Sequence, residues 1–319
     1  MSRLRRPEGS TYDVIGLGEC SLDETWRLQE AGPPLAKSKI AARGRDLLGG
    51  GQVATAMVAC RRLGLRAAFL GAVGGDEAGR IVLQGLRDEG VDTSAVRVLP
   101  TARTRCALVL VQPGGERTVI EQRDPELVLH AAEIQPAMVG CARVLHVDAT
   151  HLGAAICAAL HARAQHTLVS VDVDRLEQGV EHLVRLADLC IVPEHFPQLL
   201  TGERHFERAV LQMTRRTEGL VIVTLGERGC VAVDREERER LVYCPAFPVS
   251  QPVDTTACGD TFHAAAIAYL LDGAERSSRP LEGLLRFANA AAALKCRALG
   301  RRGCPTRSEV EALLGSEAI

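Results

Sequence analysis

RVLHVDATHLGAAICAALHARAQHTLVSVDV, residues 143–173, decides the architecture. Its ends, 144–147 and 168–173, are short apolar runs rich in Val, the pattern of strands buried on both faces. Between them lies an Ala-rich stretch that predicts a helix. Strand, helix, strand is a βαβ unit, and it repeats: apolar runs at 189–192 and 220–224 each follow a helical stretch. The reading predicts a parallel, doubly wound sheet. Upstream, 13–18 (DVIGLG) reads as a buried first strand and 67–71 as another, with helices at 52–63 and 76–89. Gly64 stands where a helix C-terminus favours glycine. Downstream, a hairpin near 229–243 precedes Ala-rich helices at 259–271 and 281–297.

Four segments fall outside this rhythm. Residues 22–46 alternate around Pro33-Pro34, and 103–112 and 117–122 alternate around Pro113-Gly114-Gly115. They lack partner helices and predict a small antiparallel sheet apart from the main one. No repeat or linker divides the chain. One α/β domain over 1–319 is expected, with a β lid from about 22–46 and 103–123 inserted in it.

Composition narrows the function. Of 319 residues 46% are apolar, enough for a sizeable core. Aromatics are few (one Trp, three Tyr, six Phe), so that core is built from Ala, Val, Leu and Ile. A net charge of −2 and no basic stripe exclude a nucleic-acid partner. No apolar run is long enough to span a bilayer, and no h-region follows Arg3, Arg5 and Arg6. A cytoplasmic protein with no membrane partner is expected. The eleven cysteines are scattered, with no C-x-x-C pair, and read as small buried thiols. His146 and His151 flank a strand end without a zinc ligand set around them. The run Arg235 to Arg240 alternates in sign and reads as a solvated turn. Gly16-Leu17-Gly18-Glu19-Cys20-Ser21 lacks the third glycine and the helix of a dinucleotide fingerprint, and no P-loop motif is present.

The chemistry concentrates in Asp254-Thr255-Thr256-Ala257-Cys258-Gly259-Asp260, where small residues open the first Ala-rich helix. Free N–H groups at a helix start, with the helix dipole, favour an anion such as phosphate. A carboxylate in that first turn, Asp260, suits either a structural helix start or a base beside a phosphate cradle.

DTTACGD resembles the D-T-x-[GA]-A-G-D signature of the ribokinase-like (PfkB) carbohydrate kinases. Three further segments match in order. Gly49-Gly50-Gly51-Gln52 resembles the N-terminal glycine-pair motif. Gly71 to Gly79 resembles G-x-[VI]-G-x-D-x-x-G, and Thr224 to Gly229 resembles T-x-G-x-x-G. The similarity runs from about 13 to 314. It implies a three-layer, Rossmann-like core with a β lid, and ATP-dependent phosphorylation of a hydroxyl on a small sugar or sugar derivative. It implies Asp260 as general base and the amides of Ala257, Cys258 and Gly259 as an anion hole. Asp23, Gly50, Gly51 and Gln52 would bind the sugar. Thr224, Gly226, Gly229 and Asn289 would lie toward ATP, which brings Mg²⁺. Family members often hold a monovalent cation such as K⁺ on carbonyls near the Asp254 loop, with Asp254, Thr256 and Gly300 as candidates here. Lids in the family often pair across a homodimer. The tail, at 262–265, 293–297 and 300–305, is most similar to a subgroup that includes sulfofructose kinase; no substrate is inferred from that.

The departures matter as much. Cys258 stands where Ala is usual, and a thiol at a helix N-terminus is expected to be acidic and reactive. The family's N-x-x-E motif for magnesium and phosphate falls on Pro193-Glu194-His195-Phe196, which keeps neither end. A non-catalytic sugar sensor and a nucleoside kinase of the same fold therefore stand as alternatives. Arg105 and Arg123 on the lid strands read as surface charge or as partners for an anionic group on the substrate.

Overall fold

The computed structural model describes residues 10–30, 39–113, 117–233, 240–272 and 281–316. The basic start at Arg3, Arg5 and Arg6, the Pro33-Pro34 and Gly114-Gly115 turns, and most of the run from Arg235 lie outside them. The first third of the chain forms β1 (Tyr12–Leu17), β2 (Ser21–Leu28), β3 (Ala42–Gly50), α1 (Gln52–Arg62), β4 (Ala67–Leu70), β5 (Ala72–Gly74), α2 (Glu77–Asp88) and β6 (Arg97–Leu99). Next come β7 (Cys106–Val111), β8 (Arg117–Gln122), α3 (Pro136–Gly140), β9 (Ala142–Val147), α4 (Leu152–Ala164), β10 (Leu168–Asp172), α5 (Val180–Leu186) and β11 (Leu189–Pro193). The rest is α6 (Phe196–Thr201), α7 (Phe206–Thr214), β12 (Leu220–Thr224), β13 (Cys230–Val233), β14 (Leu241–Cys244), α8 (Cys258–Leu271), α9 (Leu281–Lys295) and α10 (Arg307–Ser316).

The main sheet has the order β14-β13-β12-β11-β10-β9-β1-β4. Neighbours from β12 to β4 run parallel, and the hairpin β13–β14 extends the sheet antiparallel. Successive strand residues face opposite sides. Val14, Ile191 and Ile222 therefore enter one core with α1, α8 and α9, while Ile15, Leu17, Val192 and Val223 enter another with α4, α5 and α7. Helices cover both faces, as the βαβ rhythm requires. The chain runs from β1 out to β4, then returns to the other side of β1 and continues through β9 to β12. Such a reversal opens a crevice at the carboxyl ends of the strands, where open α/β sheets bind ligands.

The lid differs from expectation. Its order is β3-β2-β7-β8, and β2 pairs with β7 in parallel, so the sheet is mixed. Each hairpin is antiparallel inside itself. The chain between β2 and β7 returns through β3 to β6, a long crossover that lets both first strands leave the core in one direction. Asp76 anchors the base of this lid. Its carboxylate caps α2 at Gly79 N (2.9 Å) and accepts from Thr104 N (2.9 Å) and Thr104 Oγ1 (2.6 Å). The Gly71–Gly79 motif thus anchors the start of β7. The short parallel pair β5–β6 and helix α10 were not anticipated, and α9 ends at Lys295 rather than at 297.

Helices α8 and α9 pack on small side chains. Ala264, Ala265, Ala266, Ala288, Ala290 and Ala291 are all fully buried. Helices apolar on most faces belong inside a core. Added volume there forces neighbours off their rotamers, so Ala288→Leu should destabilise the fold by about 1–3 kcal/mol. Leu160→Ala, on the exposed side of α4, should stay within about 0.5 kcal/mol. Urea unfolding of both variants checks the contrast.

Candidate active site

A cleft of about 250 Å³ lies between the lid and the carboxyl ends of the central strands. Asp23, Thr25, Ala107 and Val109 on the lid's inner face, the turn from Gly49 to Gln52, and Asp254, Thr256, Ala257 and Asp260 line it. Gly300, Arg301, Arg105, Arg117 and Glu19 add to the wall. Of the sequence candidates, Asp23, Gly50, Gly51, Gln52, Arg105, Asp254, Thr256, Ala257, Asp260 and Gly300 are brought together here.

The glycines have defined tasks. A Cβ on Gly50 would collide with the Asp23 carboxylate, which Ser21 Oγ also holds at 2.7 Å. Gly51 adopts φ 91° as the N-cap of α1, where a side chain would strike the Glu19 carbonyl. Across the cleft, Ala257 is the N-cap of α8 at φ 66°. This left-handed backbone is unfavourable for a residue with a Cβ by roughly 1 kcal/mol or more, and such outliers cluster at working sites. It turns the chain so that α8 begins at Cys258, with Asp260 in its first turn and Ala257 and Asp260 lining the cleft.

Carboxylates crowd behind Asp260. Burial, then the charges of Asp172, Asp148 and Glu19, hold the Asp260 carboxyl well above its ordinary range, and Lys295 opposes them. Asp148 follows β9 and accepts from Glu19 N at 2.7 Å and Thr150 N at 2.8 Å. Burial pushes it up to about 7. Burial also raises Asp172, but His263 outweighs that and holds it below the usual range. His263, one turn beyond Asp260, places Nε2 3.4 Å from Asp172 Oδ1. His146, whose pKa burial lowers to about 3, completes a buried trio with these two. Spacing along the chain gave no sign of it, because three elements supply its members.

The lid arginines are not free for a ligand. Arg105 pairs with Glu19 (3.1 Å) and Glu121 (2.7 Å); Arg123 pairs with Glu19 (2.6 Å) and Glu121 (3.0 Å). Arg105 lines the cleft and Arg123 does not. Their partner Glu19 is buried, a residue that sequence reasoning met only in the rejected GLGECS reading. Arg117, also missed, reaches from β8 to Thr256 Oγ1 at 2.8 Å.

The Asp254 loop is saturated. Asp254 Oδ1 accepts from Thr256 N (2.8 Å) and Oδ2 from Gly300 N (2.7 Å). Lys295, fully buried, donates to the carbonyls of Asp254 (2.8 Å) and Ala298 (3.1 Å), with Asp254 Oδ2 at 3.5 Å. The expected acidic thiol moves along the chain. Cys258 and Cys296 lie 3.2 Å apart, and their hydrogen bond pulls Cys296 down to about 7 while pushing Cys258 up. Lys295 also favours the thiolate on the Cys296 side.

The candidates toward the nucleotide lie apart from this cleft. Thr224 ends β12, and Gly226 and Gly229 flank the turn into β13. Asn289 is buried, and its Nδ2 donates to the carbonyls of Cys244 (3.2 Å) and Pro245 (3.1 Å). At the altered N-x-x-E position, Phe196 is fully buried and Glu194 pairs with Arg228 at 2.5 Å.

Residues 20–308 match the family model described as pfkB family carbohydrate kinase. A fructokinase-1 of Oryza sativa subsp. japonica is 31% identical over 97% of this chain and 99% of its own length. A fructokinase-1 of Zea mays is 32% identical over 83% and 88%. An Arabidopsis thaliana ribokinase, solved with ribose and ATP, shares the fold at a TM-score of 0.78 and 24% identity, over 95% of this chain and 98% of that one. With a family match across most of its length and relatives similar from end to end, the chain belongs to the pfkB family of carbohydrate kinases.

Proposed function

We propose that this kinase transfers the γ-phosphoryl group of ATP to a hydroxyl of a sugar held in the cleft, with Asp260 as general base. One observation supports the reading: Asp260 and Ala257, the N-cap of α8, line the same cleft as Asp23 and the Gly50–Gly51 turn. Asp23 and the turn at 50–52 orient the sugar hydroxyls. The amides of Ala257, Cys258 and Gly259 receive the charge that develops on the transferring group, which is where such donors lower a barrier most. Asp260 accepts the proton of the attacking hydroxyl. ATP approaches past Thr224, Gly226 and Gly229, and the protein's work is chiefly alignment and charge stabilisation.

Pro193 and Phe196 offer no metal ligand, so the family's usual acidic motif does not hold Mg²⁺ here. Mg²⁺ bound by nucleotide phosphates and water needs few protein ligands. The plant relatives named above are fructokinases, which makes a ketohexose the first sugar to test. This reading puts a homodimer contact on the lid's outer face, where Leu22, Leu47, Leu108 and Ile120 line a second groove.

The environment of Asp260 sets both rate and stability. A base with a raised pKa is protonated over a wider range, so activity should fall on the acid side at a pH above the ordinary carboxylate range. The stability sign follows from linkage. The folded state binds a proton that the unfolded state has released, so this group's contribution falls as pH rises through that window. Asp260→Asn should therefore lower kcat by on the order of 10²–10⁴-fold. The same change should raise Tm by a few degrees at neutral pH and by less near the ordinary Asp pKa. An ADP-release assay with Mg-ATP and a sugar panel, beside melting curves, measures both. Sugar binding without ADP release from the unaltered protein would transfer the reading to a sensor.

Iodoacetamide should modify Cys296 before Cys258 and slow turnover, with ATP and sugar together protecting; peptide mapping gives the order. Ile120→Glu should convert a dimer into a monomer in light scattering, while Leu160→Glu should not.

A further inference from the structure

We infer that the Lys295 ammonium is a built-in monovalent cation, which orders the Asp254 loop and makes catalysis indifferent to K⁺. The activity part of this inference rests on the kinase reading above; the binding part does not.

Lysine is almost never fully buried unless its charge is met. Lys295 is the third-largest fully buried side chain among those described, at 0% exposure. Its Nζ sits among oxygens: Asp254 O at 2.8 Å, Ala298 O at 3.1 Å and Asp254 Oδ2 at 3.5 Å. An ammonium has three donors and no acceptor, so these contacts suit it. Converging carbonyl oxygens are also how proteins replace the water around a bare K⁺, an ion close to ammonium in size and charge.

The same oxygens do not fit an added cation. Nζ already lies at the convergence of the Asp254 and Ala298 carbonyls. The Asp254 carboxylate accepts from Thr256 N and Gly300 N, and Thr256 Oγ1 accepts from Arg117. A second positive charge beside a buried ammonium would be repelled, since burial reduces screening. Of the three residues that the family resemblance nominated for a cation, Asp254 meets the chain's own ammonium directly, and Thr256 and Gly300 brace its carboxylate through their N–H groups.

The ammonium acts as a positioning group. The loop that it holds runs from Asp254 to Ala257, whose strained backbone aims the first amides of α8. The other end of the clamp is the turn at Ala298–Gly300, which borders the cleft. Losing Nζ would free both ends at once. It would also remove the positive charge that counters the carboxylates around Asp260.

The test compares KCl, NaCl and tetramethylammonium chloride at equal ionic strength. For the unaltered protein, Tm and kcat/KM should be the same in all three. Lys295→Met should lose roughly tenfold or more in kcat/KM, as for removal of one partner from a buried charge pair. KCl, or methylammonium, should recover part of both activity and Tm in that variant, and tetramethylammonium should not. Lys295→Gln, which keeps donors but not the charge, should respond to K⁺ in the same direction and serves where Lys295→Met does not fold. A K⁺-specific rise in Tm or kcat/KM of the unaltered protein would overturn the inference. So would variants that fold yet ignore K⁺. Absence of turnover with every sugar would count against the kinase reading alone, because the melting curves still decide the role of Lys295.

Discussion

Asp254 is the point on which the site depends. One carboxylate and its own carbonyl receive Thr256 N, Gly300 N and Lys295 Nζ. That reinforces the backbone bonds from Val253 N and Asp254 N to the Cys296 carbonyl, by which the loop before α8 already meets the end of α9, and it brings in the turn that follows. Burial pushes the Asp254 carboxyl up, but these donors outweigh it and keep it below the ordinary range. Charge-assisted hydrogen bonds are about twice as strong as neutral ones, so the clamp is stiff as well as charged. The stiffness matters because the next residues hold an unfavourable backbone. Ala257 stays at φ 66° only because its surroundings leave no alternative.

Charge balance explains why the surrounding residues are what they are. Asp260, Asp148, Asp172 and Glu19 sit close enough to raise one another. Each is met differently: Asp172 by His263, Glu19 by Arg105 and Arg123, Asp148 by backbone amides alone. Asp260 alone among these four makes no hydrogen bond or ion pair with the described residues, and it lines the cleft. A carboxylate held high and open is poorly placed for stability and well placed to take a proton, and such conflicts concentrate at working sites. The lid arginines belong to this balance. Their guanidinium groups neutralise buried Glu19, which leaves them engaged before any substrate arrives.

Much of this was legible in the sequence, and the limits have physical reasons. Alternating apolar runs and Ala-rich stretches located the main sheet and its helices, because burial on both faces imposes composition on every strand. The turn into α8 was legible because free helix-start amides demand small residues in a row. Pairing direction in the lid was not. Periodicity tells which face a residue takes, never which neighbour its strand meets, so two hairpins could be seen but not their parallel seam. Partners distant in sequence were equally silent. Cys258 and Cys296 meet across 38 positions, and Glu19 meets Arg105 and Arg123 across a whole crossover. Lys295 left only a faint mark: it directly follows the run Ala291-Ala292-Ala293-Leu294, at the end of a largely apolar helix.

The lid shows how the same residues serve both rigidity and closure. At its base, Asp76 joins α2 to Thr104, and Thr104 Oγ1 accepts from Gly74 N at 2.9 Å, so β7 leaves the core in a fixed direction. At its far side, Arg117 makes an exposed contact with Thr256. A buried, multiply bonded base and a solvated far contact differ in strength, because water competes for the second and not for the first. The Arg117 end of β8 is therefore held less firmly than the base of the lid. There Arg117 meets the loop that Asp254 and Lys295 hold. A lid can exclude water from a reacting phosphate only if it closes on something that does not move.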